Sequence, residues 1–305
     1  SYGIGVCGPI DSRETPVVPS RIPGRFWIAG FALARLPVFA SKRAMPEWLA
    51  IVILGVIEGV TEFLPISSTG HLLIAEHWLG HQPAVFNVGI QSGAVVAVLL
   101  VFADRLQRML VGWREKANRD YLLKLIVAFV LTGVGGLILR KGLGFELPET
   151  AVPVAWATLI GGVLFIAVER WLRGRTATDE VSWPAALLMG AGQLLAAVFP
   201  GASRSGSTIL MGLMVGVNRP AATEFSFLLG IPTLVAAGAL ELHGALKDPT
   251  APPVAWGYLL LGLVVSAATA FAAVKWLLRF VQSHTFEGFG WYRIGLGLLL
   301  LLLLR

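Results

Sequence analysis

Two apolar segments, residues 48–80 and 183–217, are each broken in the middle by a polar motif, "PISSTGH" in the first and "PGASRSGST" in the second. Hydrocarbon cannot hydrogen-bond exposed amides and carbonyls. Broken backbone at membrane depth is therefore tolerated only where it is buried in protein or lines a watery cavity. Each segment is expected to form two half-helices around a break, and both breaks to face a cavity.

The membrane premise rests on the rest of the chain. Of its residues 56% are hydrophobic and 14% charged, with a mean hydropathy of +0.75, whereas a soluble domain carries about a quarter charged residues. Uncharged runs occur at 82–103, 125–139, 151–168, 225–240 and 249–274, and a last run, 294–304, needs 288–293 to reach full length. At roughly 20 residues per crossing these make six spans. The net charge of +6 comes from basic residues crowded at the ends of apolar runs, the pattern of cytoplasmic loops and snorkelling anchors, so no nucleic-acid partner is expected. The single cysteine, Cys7, excludes an internal disulfide and a cysteine-based metal cluster.

Residues 1–44 differ in character. They are dotted with Pro and Arg, and their one apolar stretch, 26–33, is too short to span a bilayer. They are expected to be a poorly ordered extension of unknown role, with Met45 opening the functional chain. A signal peptide, with Arg21 and Arg25 before the apolar stretch, is the minor alternative.

The two broken segments resemble each other: "FLPISSTG" (63–70) parallels "FPGASRSG" (199–206), and "VGIQSG" (88–93) parallels "LGIPTL" (229–234). The chain thus reads as an all-α polytopic membrane protein built from two copies of one unit, a re-entrant broken helix pair followed by three transmembrane helices. The first repeat covers about 45–171 and the second about 183–304, together one transmembrane catalytic domain, 45–304. Three spans is an odd number, so the second copy enters from the opposite side and the repeats are inverted. Arg105, Arg108, Arg114, Lys116 and Arg119 between 104 and 120, with Arg170, Arg173 and Arg175 between 169 and 182, outnumber the basic residues at 140–150 and 241–248. The positive-inside rule then puts the first two loops in the cytoplasm, so that the first broken pair enters from outside and the second from inside.

Glu58 and Glu62 are spaced i, i+4 on one helical face and repel each other when both are ionised. In lipid each costs ~3 kcal/mol at a helix centre. Surface carboxylates at a membrane edge are the plain explanation; a divalent-cation site or an acid/base pair is the functional one, because one cation or a shared proton removes the repulsion. Ser67, Ser68 or Thr69 is suited to capping the half-helix that follows. A cap does not account for His71, which in a first helical turn is suited to proton transfer as a neutral imidazole. Ser203, Arg204, Ser205 and Gly206 precede a helical run expected at 208–217, so hydroxyls, an obligate cation and free amides converge at a helix N-terminus, an anion site whose commonest occupant is phosphate. Gln91, Gln193 and Glu224 are lesser candidates, more ordinary as helix-to-helix hydrogen bonds or at a span's mouth.

Together these pieces suit metal-assisted cleavage of a phosphoanhydride whose apolar end lies in the bilayer. "EGVTEFLPISSTGH" (58–71) and "PGASRSGST" (200–208) resemble the two signature motifs of the undecaprenyl-pyrophosphate phosphatase family, the bacitracin-resistance integral membrane proteins, over Met45 to about Leu304. The resemblance implies release of one phosphate from a C55 isoprenoid pyrophosphate, which regenerates the lipid carrier of peptidoglycan synthesis in the bacterial inner membrane, with the active site opening to the periplasmic side. It places the family's paired glutamates on Glu58 and Glu62 as ligands of Mg2+ or Ca2+, its serine and histidine on Ser68 and His71, and its phosphate-binding residues on Ser203, Arg204 and Thr208. Ser67, Thr69, Ser205, Gly206 and Gln91 complete the expected substrate contacts. In the expected mechanism Ser68 attacks, or positions water, with His71 as base, and the sequence leaves open whether Ser68, His71 or water is the nucleophile. Expected partners are the lipid substrate and membrane lipid, with a homodimer left open. A transporter or flippase of a phosphorylated polyprenyl lipid is the alternative, since inverted repeats with broken helices also build secondary transporters.

Overall fold

The computed structural model describes residues 45–139, 150–248 and 253–303, so the extension at 1–44 lies outside the described residues. Among the described residues eleven helices follow one another: α1 (Glu47–Thr61), α2 (Ser68–Leu79), α3 (Ala84–Val101), α4 (Ala103–Val111), α5 (Lys116–Leu137), α6 (Ala151–Trp171), α7 (Trp183–Val198), α8 (Arg204–Met214), α9 (Arg219–Lys247), α10 (Trp256–Phe280) and α11 (Glu287–Leu303). Among the described residues five helices, α3, α5, α6, α9 and α10, are long and apolar enough to cross a membrane. The chain is a polytopic all-α membrane protein. The sixth expected span is α11, of which 17 residues are described.

Several helices run past the expected spans. α5 begins at Lys116 and takes in Arg119 and Lys124, because Lys124 is buried against Asp120 and lies 5.8 Å over the Trp183 ring, which satisfies its charge inside the helix. α9 continues through the expected 241–248 loop to Lys247, and α4 forms within the expected 104–120 loop, with Asp104 in its first turn and Arg108 in its last, signs that suit the helix dipole.

The elements recur at a constant shift: α7 starts 136 residues after α1, α8 136 after α2, and α11 136 after α6. Glycines let the helices of different halves meet at backbone distance, the small-residue packing expected where lipid gives helices no hydrophobic reason to associate. A Cβ on Gly59 of α1 would lie 2.4 Å from the Ser266 carbonyl of α10, and one on Gly55 would lie 2.9 Å from the Gly262 carbonyl, so α1 and α10 run in the same direction. Gly93 of α3 meets the Leu263 carbonyl at 2.4 Å in the same sense. α7 is matched in turn with α5: Trp183 Nε1 donates to Asp120 at 2.9 Å, and a Cβ on Gly190 would lie 2.9 Å from the Ala128 carbonyl.

The chain reverses between α3 and α5 through α4, so α1 begins at one end of the bundle and α7 at the other. Each broken pair returns to its own end. For the second pair, Thr178 before α7 is tied to Gly216 and Asn218 after α8 by two backbone bonds of 2.9 and 2.7 Å. For the first, the early α1 residue Ile51 shares an apolar cluster with Leu79 at the end of α2 and with Tyr258 at the start of α10. The two breaks therefore approach each other from opposite ends.

Candidate active site

Both breaks are closed in the same way. Ser67 (φ 72°) and Ser203 (φ 69°) take the left-handed backbone that residues with a Cβ rarely adopt. Each then caps the half-helix that follows: Ser67 Oγ accepts from the Gly70 amide at 3.3 Å and Ser203 Oγ from the Gly206 amide at 3.1 Å. Ser68 and Arg204 consequently occupy the first position of α2 and α8. α8 thus starts four residues ahead of the expected 208, with the cradle residues forming its first turn rather than the loop before it. The cap is worth ~1 kcal/mol and uses the Gly206 amide that had been expected to face an anion. The amides of Arg204 and Ser205 precede the first intrahelical bond, Ser207 N to Ser203 O.

The two motifs meet at Glu62, buried at the end of α1. Its Oε2 accepts from the Ser68 hydroxyl at 2.8 Å, and its Oε1 accepts from Arg204 Nη2 at 3.3 Å. One carboxylate thus joins the hydroxyl of the first break to the guanidinium of the second. Arg204 lies 5.0 Å over the Phe63 ring, donates to the Ser226 carbonyl at 3.3 Å, and keeps a buried Nε without a partner. Gly230 on α9 makes its room, because a Cβ there would lie 2.3 Å from Nη1.

His71 is not where the expected mechanism needs it. Its Nδ1 lies 2.8 Å from the Ser67 carbonyl and its Nε2 lies 2.6 Å from the Tyr292 hydroxyl, while the Ser68 hydroxyl is given to Glu62. The Ser68 hydroxyl thus donates to Glu62 and not to His71. The reason is local: Ser68 opens α2 and points back at the end of α1, whereas His71, one turn further on, faces α11.

The remaining expected residues divide. Ser205 is fully buried and donates to the Leu64 carbonyl at 3.1 Å, which ties the second break to the first; its hydroxyl also lies 3.2 Å from that of Ser203. Thr208 is fully buried and donates to the Arg204 carbonyl at 2.9 Å, so it braces the turn that carries the arginine instead of facing a ligand. Thr69 is half-buried in the first turn of α2, and Gln91 is buried on α3, outside this hydrogen-bond web. Gln193 lies between α5 and α9, donating to Thr132 and Thr233 at 3.2 and 2.9 Å.

Glu58 is fully buried and neither carboxylate oxygen has a hydrogen-bond partner. A buried, unpartnered carboxylate one turn from a second carboxylate is a demanding arrangement, and a hard divalent cation would satisfy it. Among the described residues no group of three or more His, Cys, Asp or Glu converges on one point. The protein side of such a site is then two carboxylates, the donor set of an Mg2+ that keeps waters and takes its other ligands from substrate phosphates.

Two residues of α11 had not been expected. Arg293 is fully buried and donates to Pro65 O at 3.2 Å in the first break and to Gly201 O and Ala202 O at 3.1 and 3.0 Å in the second, with further bonds to α6 at Thr158 O and Ala157 O. It is the clamp between the breaks. Its signal is an arginine ahead of an apolar run in "WYRIGLGLLLLLLLR", since an ionisable residue at membrane depth is a site candidate by default. Tyr292 beside it has no comparable signal. A cavity of about 720 Å³ lies elsewhere, lined by Arg105, Arg108, Asp120, Tyr121, Lys124 and Glu224, and holds none of the motif residues. Glu224 accepts there from Arg105 at 3.0 Å.

Residues 51–299 match the family model described as "Bacitracin resistance protein BacA". Curated relatives carry the name "Undecaprenyl-diphosphatase". One from Rhizobium etli is 53% identical over 256 residues, which cover 84% of this chain and 96% of the relative. One from Xanthomonas axonopodis pv. citri is 46% identical over 259 residues, 85% of this chain and 97% of the relative, and one from Xylella fastidiosa is 44% identical over 258 residues, 84% and 98%.

Proposed function

We propose that this chain, which belongs to the bacitracin resistance protein BacA family, is an integral membrane undecaprenyl-diphosphatase that releases the terminal phosphate of undecaprenyl diphosphate. The product, undecaprenyl phosphate, is the lipid carrier that peptidoglycan synthesis reuses. The observation that carries the chemistry is the Glu62 junction, where a hydroxyl and a guanidinium from opposite breaks share one carboxylate.

Arg204 Nη2 holds Glu62 at 3.3 Å. An incoming diphosphate competes for the guanidinium through bidentate oxygen contacts and through the unpartnered Nε. Glu62, relieved of its cation, takes the proton of Ser68. The Ser68 oxygen forms a bond to the terminal phosphorus, the bond from that phosphorus to the bridging oxygen breaks, and the lipid monophosphate leaves with the bridging oxygen. Water then cleaves the Ser68 phosphoester, releasing inorganic phosphate, and the proton held by Glu62 returns to the serine oxygen. Arg204 stabilises the charge on the transferring group throughout. A divalent cation, Mg2+ or Ca2+, fits the two free oxygens of Glu58 with Glu62, and when bound it would neutralise charge on the diphosphate oxygens.

Placement in the bacterial inner membrane, with the first break open to the periplasmic side, is supported by the arginines that gather where α5 and α7 begin, the end opposite the start of α1. The testing experiment is phosphate release from undecaprenyl diphosphate by detergent-solubilised protein, with no gradient and no second compartment. Hydrolysis there supports the phosphatase; its absence, with lipid movement in vesicles, would support a flippase instead.

A further inference from the structure

Neighbouring residues of α11 face the site differently. Arg293 is fully buried between the breaks, whereas the Tyr292 side chain is half-exposed. The Tyr292 hydroxyl lies 2.6 Å from His71 Nε2, and the two rings are almost parallel, 7° apart in plane with centroids at 5.6 Å. On the other side of the imidazole, Nδ1 lies 2.8 Å from the Ser67 carbonyl. A carbonyl can only accept, so Nδ1 carries the proton, Nε2 holds the lone pair, and Tyr292 donates to it. The Ser67 carbonyl is itself fixed, because Ser67 is held in left-handed backbone and capped onto Gly70. The ring is pinned at both nitrogens, and its tautomer follows from its partners.

We propose that Tyr292 is a positioning residue for the hydrolytic half of the reaction. It keeps His71 a neutral imidazole with Nε2 unprotonated and held at the half-exposed Tyr292 hydroxyl, ready to accept the proton of the water that cleaves the Ser68 phosphoester. This role rests on the phosphatase assignment. His71 lies three residues beyond Ser68 on α2, so the two are neighbours one helical turn apart, although Ser68 turns toward Glu62 and His71 toward α11. In the step itself, water oxygen bonds to phosphorus, one water proton passes to His71 Nε2, the bond between phosphorus and Ser68 Oγ breaks, and the serine oxygen recovers its proton from Glu62. The bond at Nε2 switches from the phenol to water, which a half-exposed side chain can allow by turning aside. His71 afterwards loses its extra proton to solvent and Tyr292 closes on it again.

Tyr292→Phe removes the hydroxyl and keeps the stacked ring, and three readouts test it. With undecaprenyl diphosphate, kcat is expected to fall about tenfold with KM within about twofold of the parent. In a His71→Ala background the same substitution is expected to cost nothing more, because it acts through His71. Acylation of His71 by diethyl pyrocarbonate, followed by mass spectrometry in the absence of substrate, is expected to be faster in the variant, because Nε2 has lost its partner. Parental kcat in Tyr292→Phe, an equal loss in both backgrounds, or unchanged acylation of His71 would each overturn the proposal. If the parent itself releases no phosphate, it is the phosphatase assignment that has failed, and the acylation rate still decides whether Tyr292 governs His71.

Discussion

Ser67 and Ser203 lie 136 residues apart, share a left-handed backbone at φ 72° and 69°, and cap their half-helices identically, each hydroxyl accepting the amide three residues on. Strain of this kind costs ~1–3 kcal/mol and persists only where the surroundings enforce it. Glycine at either position removes the strain and loses the side-chain cap, whereas alanine loses the cap and keeps the strain. Alanine is therefore expected to melt as a protein ~1 kcal/mol less stable than the parent at each site, and glycine to lie ~1–3 kcal/mol above alanine, at or above the parent. Detergent-solubilised melting curves check it, and an alanine variant as stable as the glycine one would show that the backbone there is unstrained.

Arg293 reaches carbonyls in both breaks and on α6 with a planar fork, which a lysine cannot reproduce from one point charge. Arg293→Lys is expected to lower stability by at least ~3 kcal/mol, since buried carbonyls left unpaired cost ~1–3 kcal/mol each. Turnover should fall with it, because the breaks lose their common anchor. Thermal unfolding and phosphate release on the same preparation measure both.

Gly230 leaves the space that the Arg204 guanidinium fills, with Nη1 2.3 Å and Cζ 2.8 Å from where a Cβ would stand. Gly230→Ala is expected to push the guanidinium off Glu62 and, because that pair is largely buried, to lower stability by ~1–3 kcal/mol as well. Activity is the sensitive readout: kcat/KM should drop about tenfold, ~1.4 kcal/mol of transition-state stabilisation. Gly244, with open space around it, supplies the control, since its alanine variant should match the parent.

His81 links α2 to α3 and shares Glu76 with Asn87, its Nδ1 2.7 Å from Glu76 Oε2 while Asn87 Nδ2 donates to Oε1 at 2.7 Å. The hydrogen bond to Glu76 raises the His81 imidazole above its usual value, outweighing partial burial. A raised folded-state value stabilises the folded protein below the unfolded-state value, and the contribution is lost as pH rises through the folded one. The melting temperature should thus decline from about pH 6.5 upward, and His81→Gln should flatten that part of the curve. An unchanged pH dependence in the variant would assign the decline to another group.

The broken segments, their polar motifs and the recurrence between the halves were legible in the sequence, because a carboxylate, a hydroxyl cluster or an arginine inside an apolar run has no cheap explanation in lipid. Glu58, Glu62, Ser68 and Arg204 stood out for that reason, and the fold brings Glu62, Ser68 and Arg204 together. The partner of Ser68 was not legible. Sequence spacing put His71 one helical turn from Ser68, but the break between α1 and α2 turns the serine back onto Glu62, and the direction of a side chain across a break is tertiary information. Tyr292 was hidden because a tyrosine at a membrane boundary is ordinary, and Arg293 because it was counted as flank to the last span. Helix ends misled for a related cause: charged residues such as Lys124 stay inside a span when a carboxylate one turn away, Asp120, and a ring on a neighbouring helix, Trp183, are within reach.

Arg204 separates a phosphate ligand from a membrane anchor. Arg204→Lys keeps the charge but loses the fork, the contact over Phe63 and the Nε, so turnover should fall about a hundredfold, ~3 kcal/mol of transition-state stabilisation. An anchor would tolerate the exchange, and near-parental turnover in the lysine variant would remove Arg204 from the phosphate site.

The most direct measurement is phosphate release from undecaprenyl diphosphate by purified, detergent-solubilised parent, Ser68→Ala and Glu62→Gln proteins, each shown to unfold cooperatively. The parent is expected to release one phosphate per lipid, and both variants to lose at least about a hundredfold in kcat, with the double variant little worse than the poorer single one, as for residues that act as a unit. Parental turnover in Glu62→Gln would contradict the role of the shared carboxylate, whatever the fate of the serine.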